Sequence, residues 1–200
     1  MKKDLFSHKA SKYEQNKNRV QNVKNIARAI TKSINFNNSM EIMDFGSGTG
    51  LLLEQIAPFV KKITAVDMSP SMNEQLKNKK DMIGCELDIL QIDLSKEKPK
   101  QKFDAIISSM TIHHIKDTKK LLNDFYDMLN KNGAIALADL ETEDGSFHTE
   151  DTGVFHFGFD KKEIQKLTKQ VGFKNVAIQT VSVAKKPYGD YAIFLLTGVK

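Results

Sequence analysis

The residues with the plainest chemical use are three glycines at alternate positions, in Ile42-Met43-Asp44-Phe45-Gly46-Ser47-Gly48-Thr49-Gly50. They follow an apolar run and precede a helix-like stretch, which places them at a strand-to-helix turn. Glycine there lets the backbone turn tightly and lets a ligand approach closely. The N-terminus of the following helix offers unpaired N–H groups to negative charge. In the dinucleotide fingerprint the third glycine comes three residues after the second. Here that place holds Leu51 and the third glycine is Gly50, which weakens a nicotinamide reading. Asp67 closes the next apolar run, Ile63-Thr64-Ala65-Val66. It lies about 20 residues beyond the glycines, the spacing at which a carboxylate meets a ribose diol and disfavours a 2′-phosphate. A glycine loop alone is as readily a plain tight turn; with Asp67 in place, the pair reads as a nucleoside site.

Histidines supply the second set of candidates. His148 and His156 lie in the polar, aromatic-rich stretch from Glu141 to Phe159, and both have intrinsic pKa values suited to general-base work. His113 and His114 follow the fourth apolar run. They read first as packing or backbone-bonding residues, with His114 kept as a third candidate base. Phe147, Phe155, Phe157 and Phe159 either wall a pocket for a flat or apolar acceptor or pin the stretch to the core. Asp139, Glu141, His148, Asp151 and His156 are suitable metal-ligand types, but their spacing matches no compact motif, so no metal is expected.

The elements that must position these groups alternate along the chain. Helical spacing of Val20, Val23, Ile26, Ala27, Ile30 and Ile34 predicts an amphipathic helix over 17–35. Strands are expected at Glu41–Phe45, Lys62–Val66, Cys85–Ile92, Phe103–Ser108 and Ala134–Leu140. Helices are expected at Leu51–Val60, from Ser69-Pro70 to about Met82, and from Asp117 to Leu129 with Asn132-Gly133 as the stop. Asp160, with Glu163 as a capping-box partner, opens a helix that ends at Val171-Gly172. Val176–Val183 and Tyr191–Val199 then follow with only a turn around Pro187 and Gly189 between them, so the chain finishes antiparallel. Helices between strands imply a parallel sheet covered on both faces. The span from Glu141 to Phe159 is long for a connection, which marks it as functional.

Composition narrows the setting. A chain of 200 residues with 40% apolar and 28% charged residues suits one domain with an ordinary core. No run of about 18 uninterrupted apolar residues predicts a membrane span. The basic start MKKDLFSHKASKYEQ lacks the apolar region of a secretory signal, and the single cysteine, Cys85, excludes an intrachain disulfide. The expected location is the cytoplasm. The formal net charge of +5 comes mostly from dispersed lysines, the only arginines being Arg19 and Arg28. That pattern reads as surface solvation and argues against nucleic acid as the partner. The sequence sets no oligomeric state.

The order of motifs resembles the class I, Rossmann-like S-adenosylmethionine-dependent methyltransferases, whose first motif is an acid followed by G-x-G-x-G. Asp44 and Gly46 to Gly50 match it. The resemblance implies that Asp44, Gly46, Ser47, Gly48, Thr49 and Gly50 hold the methionine part of S-adenosylmethionine. It implies that Asp67 binds the ribose and that Met68 packs on adenine. Ile92-Asp93-Leu94 matches the adenine-reading segment, with Asp93 accepting from the exocyclic amine, the Leu94 backbone at the ring, and Asp88 a second candidate. Phe103 to Ser109 matches the fourth strand, whose end, Ser108 to Met110, borders the reactive methyl; Ser109 joins the cofactor set on that ground. Leu129-Asn130-Lys131-Asn132-Gly133 departs from the family's L-K-P-G-G turn by lacking the proline and one glycine, which puts turn stability in doubt and not cofactor binding. Phe6 to Val20 resembles the lid of ubiquinone/menaquinone-type small-molecule methyltransferases, with Ala10 and Tyr13 in an A-x-x-Y pattern. There Tyr13 either closes over the sulfonium or packs a helix end.

The expectation is one domain over 1–200: a Rossmann-like, seven-stranded, mostly parallel α/β sheet with the last strand antiparallel. Residues 1–36 would form an N-terminal lid and helix, and 141–159 a loop over the site. The resemblance implies methyl transfer to a small-molecule acceptor. Alternatives are methylation of RNA or protein, and a non-catalytic S-adenosylmethionine-binding protein.

Overall fold

Short apolar runs between polar caps become a seven-stranded sheet in the computed structural model, which describes residues 4–150 and 152–200. In chain order the elements are α1 (Lys17–Ser33), β1 (Glu41–Phe45), α2 (Leu51–Ile56), β2 (Lys62–Val66), α3 (Pro70–Asn78), β3 (Glu86–Leu90), β4 (Phe103–Ser109), α4 (Thr118–Met128), β5 (Leu129–Leu140), α5 (Lys161–Val171), β6 (Lys174–Lys186) and β7 (Gly189–Val199). The sheet runs β3-β2-β1-β4-β5-β7-β6. All pairings are parallel except those of β7, which is antiparallel to β5 and β6. This is the expected Rossmann-like α/β sheet with its last strand reversed.

Caps fix the helix starts. Asn16, Ser69 and Asp117 each accept a backbone N–H from the first turn of α1, α3 and α4, and Asp160 accepts two, from Lys162 and Glu163, at α5. The central strands are buried on both faces, so successive residues feed separate cores. Ile42 joins Ile30, Leu53 and Ile56 on one face. Met43 joins Phe125, Leu122 and Ile164 on the other. Phe125 is fully buried, with its ring 5.3 Å from that of Phe45; truncation to alanine there costs about 3–5 kcal/mol.

Several boundaries differ from the sequence expectations, each for a local reason. The helix expected over Leu51–Val60 gives way at Ile56 to a 3-10 turn, Ala57–Phe59, because Pro58 has no N–H to continue it. The helix after Ser69 ends at Asn78, with a further turn at Lys80–Met82. Asn132-Gly133 does not stop α4. That helix ends at Met128, and β5 starts at once because buried Leu129 pairs with Phe103. Asn132, at φ 64°, then bends the strand internally, with a register shift opposite Phe103 and Ala105. β3 is shorter than expected because residues beyond Leu90 leave the sheet. Strand order reverses between β1 and β4, and ligands in open α/β sheets bind at the carboxyl ends beside such a reversal.

Candidate active site

A cavity of about 930 Å³ lies at that reversal, within the ~300–1,000 Å³ usual for small-molecule clefts. One end is built by the loop after β1 and the ends of β2 and β4. The other is built by residues 4–26, the long connection after β5, and the end of β6.

The glycine loop is shaped by close packing. Gly46 has φ +70°, and a Cβ added to it would stand 2.1 Å from the Thr111 hydroxyl, so no other residue fits. Gly48 has φ +54°, and a Cβ there would meet no protein atom within 4 Å; it would project into empty space. The loop's N–H groups are mostly used internally. Gly46 and Ser47 donate to Val66 O, Gly50 to Ser47 O, and Gly48 to the Asp67 carboxylate at 2.8 Å. Among the described residues, the atoms of this wall left without a partner are side-chain oxygens: Asp44 Oδ2, Ser47 Oγ, Thr49 Oγ1 and, at the end of β4, Ser109 Oγ. All four residues line the cavity. Burial, reinforced by the neighbouring Asp67 charge, pushes the Asp44 carboxyl up to about 8.

Asp67 also accepts the Ser69 N–H at 2.8 Å. Each of its oxygens thus holds one backbone bond and keeps a lone pair for a further donor. Burial raises its pKa despite the Ser69 and Gly48 bonds that oppose the rise. Met68 is half exposed on the cavity wall. Asp93 and Leu94 reach the same wall, Leu94 buried and Asp93 closing a local turn through Ser95 N–H at 3.1 Å and Ser95 Oγ at 2.5 Å. Asp88 is instead paired with Lys62 at 2.6 Å. Gly50 stands behind the loop against Leu76 and does not face the cavity.

Residues 4–20 are strapped across the opening at several points. The Asp4 carboxylate accepts from Ser69 Oγ at 2.9 Å and from Ser71 N and Phe6 N at 3.1 Å. Burial would raise its pKa, but the Ser71, Phe6 and Ser69 bonds hold it below the usual carboxylate range. Lys9 reaches Glu150 of the long connection at 2.6 Å. Arg19 stacks over the Tyr13 ring at 3.9 Å and donates to the Tyr13 carbonyl at 2.6 Å. Tyr13 faces the cavity, and burial raises its phenol pKa.

The histidines separate into two groups. His114 and His148 line the cavity, and burial holds each down to about 4, so both are neutral near pH 7. His156 does not reach it. Its ring packs on Phe159 at 5.0 Å and its Nε2 lies 2.9 Å from the Ile115 carbonyl, a tie between the long connection and the turn after β4. His113, read from sequence as a packing residue, is at the cavity wall, with its Nδ1 2.6 Å from the Asp139 carboxylate. The available signal was Asp139 itself, an acid inside the otherwise apolar Ala134–Leu140. Of the four phenylalanines, Phe147 and Phe155 line the cavity and Phe157 and Phe159 do not. Asp151 lies outside the described residues. Among the described residues, no group of three or more His, Cys, Asp or Glu is placed to hold a metal, and no helix is long and apolar enough to cross a membrane.

Comparison with known proteins agrees with this architecture. A family described as "Methyltransferase domain" matches residues 13–178. An uncharacterized methyltransferase of Schizosaccharomyces pombe is 31% identical over 156 residues, covering 70% of this chain and 55% of the relative. The chain thus spans about half the length of that relative. Among solved structures, a methyltransferase of Haloferax volcanii, in complex with the Trm112 methyltransferase activator, matches with TM-score 0.77 at 15% identity, covering 100% of this chain and 99% of that one. Magnesium protoporphyrin IX methyltransferase from Synechocystis, with bound S-adenosylmethionine, matches with TM-score 0.67 at 16% identity, covering 92% and 80%. The family match spans most of the chain and includes the glycine loop and strands β1 to β5; the protein belongs to the S-adenosylmethionine-dependent methyltransferase family.

Proposed function

We propose that this chain transfers a methyl group from S-adenosylmethionine to a small-molecule acceptor enclosed in the cavity. The observation that carries the reading is the buried, partnerless carboxylate oxygen of Asp44 beside the half-satisfied carboxylate of Asp67. An unpaired buried acid calls for a cation or a donor. The α-ammonium of the cofactor suits Asp44, and the ribose hydroxyls suit the spare lone pairs of Asp67. Ser47, Thr49 and Ser109 bring free hydroxyls to the methionine end, and Gly48 leaves open the space that a side chain would fill. Met68, Asp93 and Leu94 form the wall for adenine.

When bound, the cofactor supplies a methyl group on a sulfonium. What the protein does is bind, orient and exclude water. Residues 4–20 and the loop 141–159 cover the acceptor end, and Tyr13 faces inward from the cover. His114 and His148, being neutral, present no charge to repel a sulfonium. The enclosure favours a small acceptor over a macromolecular one.

Calorimetry with S-adenosylhomocysteine tests the reading. Binding heat is expected for the unaltered protein. Asp67→Ala should weaken binding by about 1–3 kcal/mol through loss of charge-assisted hydrogen bonds. Absence of heat from the unaltered protein, or an unchanged Kd in the variant, would overturn the assignment.

A further inference from the structure

We propose that His113, backed by Asp139, is the general base of the reaction and that the acceptor presents a hydroxyl to its Nε2. The inference rests on the methyl-transfer reading above and names the chemical class of the acceptor. Asp139 is fully buried in β5. Its Oδ1 accepts from the Leu140 N–H at 2.7 Å and meets His113 Nδ1 at 2.6 Å, and its Oδ2 accepts from the His113 N–H at 3.2 Å. A carboxylate surrounded by donors places the ring hydrogen on Nδ1, leaving a lone pair on Nε2. That Nε2 is buried with no partner among the described residues, and His113 lines the cavity. The ring packs against those of His114 at 4.2 Å and His148 at 4.9 Å, and its bare nitrogen calls for a donor that these neighbours do not supply.

His148 also has a buried, partnerless Nε2, but its Nδ1 faces the Thr152 hydroxyl at 3.3 Å and not a carboxylate. His114 leans its Nδ1 on the Gly153 carbonyl at 3.3 Å. Of these three histidines, only His113 has a carboxylate behind its ring, which fixes the tautomer.

The wall opposite the cofactor narrows the acceptor to a hydroxyl. Lys186 stands 4.6 Å above the Phe147 ring, with no ion-pair partner among the described residues, and Arg19 lines the same end. Cations repel an ammonium nucleophile and stabilise an oxyanion. In the step, the acceptor's O–H bond breaks and its proton passes to His113 Nε2. The oxygen's electron pair bonds to the methyl carbon. The carbon–sulfur pair returns to sulfur, leaving a neutral thioether, and the imidazolium later loses its proton to water.

Two phenols test this. With S-adenosylhomocysteine bound, para-nitrophenol should show its phenolate absorption at lower pH than when free. His113→Gln and Asp139→Asn should each reverse that shift by roughly one pKa unit. In turnover, His113→Gln should slow methylation of para-cresol roughly 10²–10⁴-fold, and that of para-nitrophenol, already largely ionised in mildly alkaline buffer, far less. S-adenosylhomocysteine affinity unchanged in the variant certifies its fold. Equal losses on both phenols, no loss on either, or an unshifted nitrophenol spectrum would overturn the base assignment. Binding of S-adenosylhomocysteine without methylation of either phenol by the unaltered protein would overturn the hydroxyl class and leave the cofactor site standing. No binding at all would overturn the reading beneath it.

Discussion

The two ends of the cavity are made by different means. The end proposed for the cofactor is set by local backbone: the loop from Gly46 to Gly50 is tied to β2 through Val66 and Asp67, and its positions are set within one βαβ unit. The end proposed for the acceptor is built by side chains from segments far apart in sequence, namely Tyr13, His113, His148 and Lys186. One end presents buried carboxylates to a cation, the other neutral imidazoles, a phenyl ring and a lysine. The difference teaches that a fixed cofactor is held by rigid local geometry, whereas acceptor choice resides in parts that can change without disturbing the sheet.

The largest effect that would break this contrast is at Gly48. Gly48→Val puts a branched side chain where no protein atom lies within 4 Å. S-adenosylhomocysteine affinity should drop by two orders of magnitude or more, about 3 kcal/mol. Thermal melting should change little beyond the ~1–2 kcal/mol cost of a left-handed valine. A retained affinity would show that the loop does not cradle the ligand.

Next in size is the linkage at Asp44. Its pKa in the folded protein, about 8, lies above the value of 3.8 for an unperturbed carboxyl. The unliganded protein therefore holds a proton that the unfolded chain releases, and its stability falls as pH rises from about 4 through 8. A ligand ammonium needs the ionised carboxylate, so affinity should rise up to about tenfold per pH unit until pH reaches about 8, while the ligand keeps its own proton. Calorimetry in buffers of differing ionisation enthalpy should register proton release near pH 7, and Asp44→Asn should abolish it.

A smaller effect separates His156 from the cavity histidines. His156→Ala removes the bond to Ile115 O and should cost about 1–3 kcal/mol of stability in denaturant titration. The Kd for S-adenosylhomocysteine should not move; a tenfold change would return His156 to the site.

The smallest effect concerns acid. His114 and His148 stay neutral in the folded protein down to about pH 4 but protonate near 6.5 when unfolded. The stability they contribute is complete above 6.5 and fades as pH falls toward 4. His148→Phe should flatten part of that decline in melting temperature between pH 6.5 and 4, and an unaltered slope would contradict the burial that holds the imidazole neutral.

What the sequence revealed follows the same division. Glu41–Phe45 and Lys62–Val66 were legible to the residue because apolar runs ending in Asp44-Phe45-Gly46 and Asp67 carry both strand and site in one short stretch. The start of β5 was misread because Asn132-Gly133 has the chemistry of a helix stop, yet burial of Leu129 against Phe103 draws the chain into the sheet earlier. The place of His113 at the cavity wall was not legible because its partner, Asp139, stands 26 residues away, on the next strand, and no local periodicity couples them. His156 was overvalued because residue type alone does not give a side chain's direction.

The strap at Asp4 is tied to the same turn that Asp67 holds. The Asp4 carboxylate fastens onto Ser69 and Ser71, and Ser69 N–H is also held by Asp67. Ser69 is thus shared between two carboxylates, one from the start of the chain and one from the end of β2, so a substitution at Asp4 is felt at the turn that Asp67 holds.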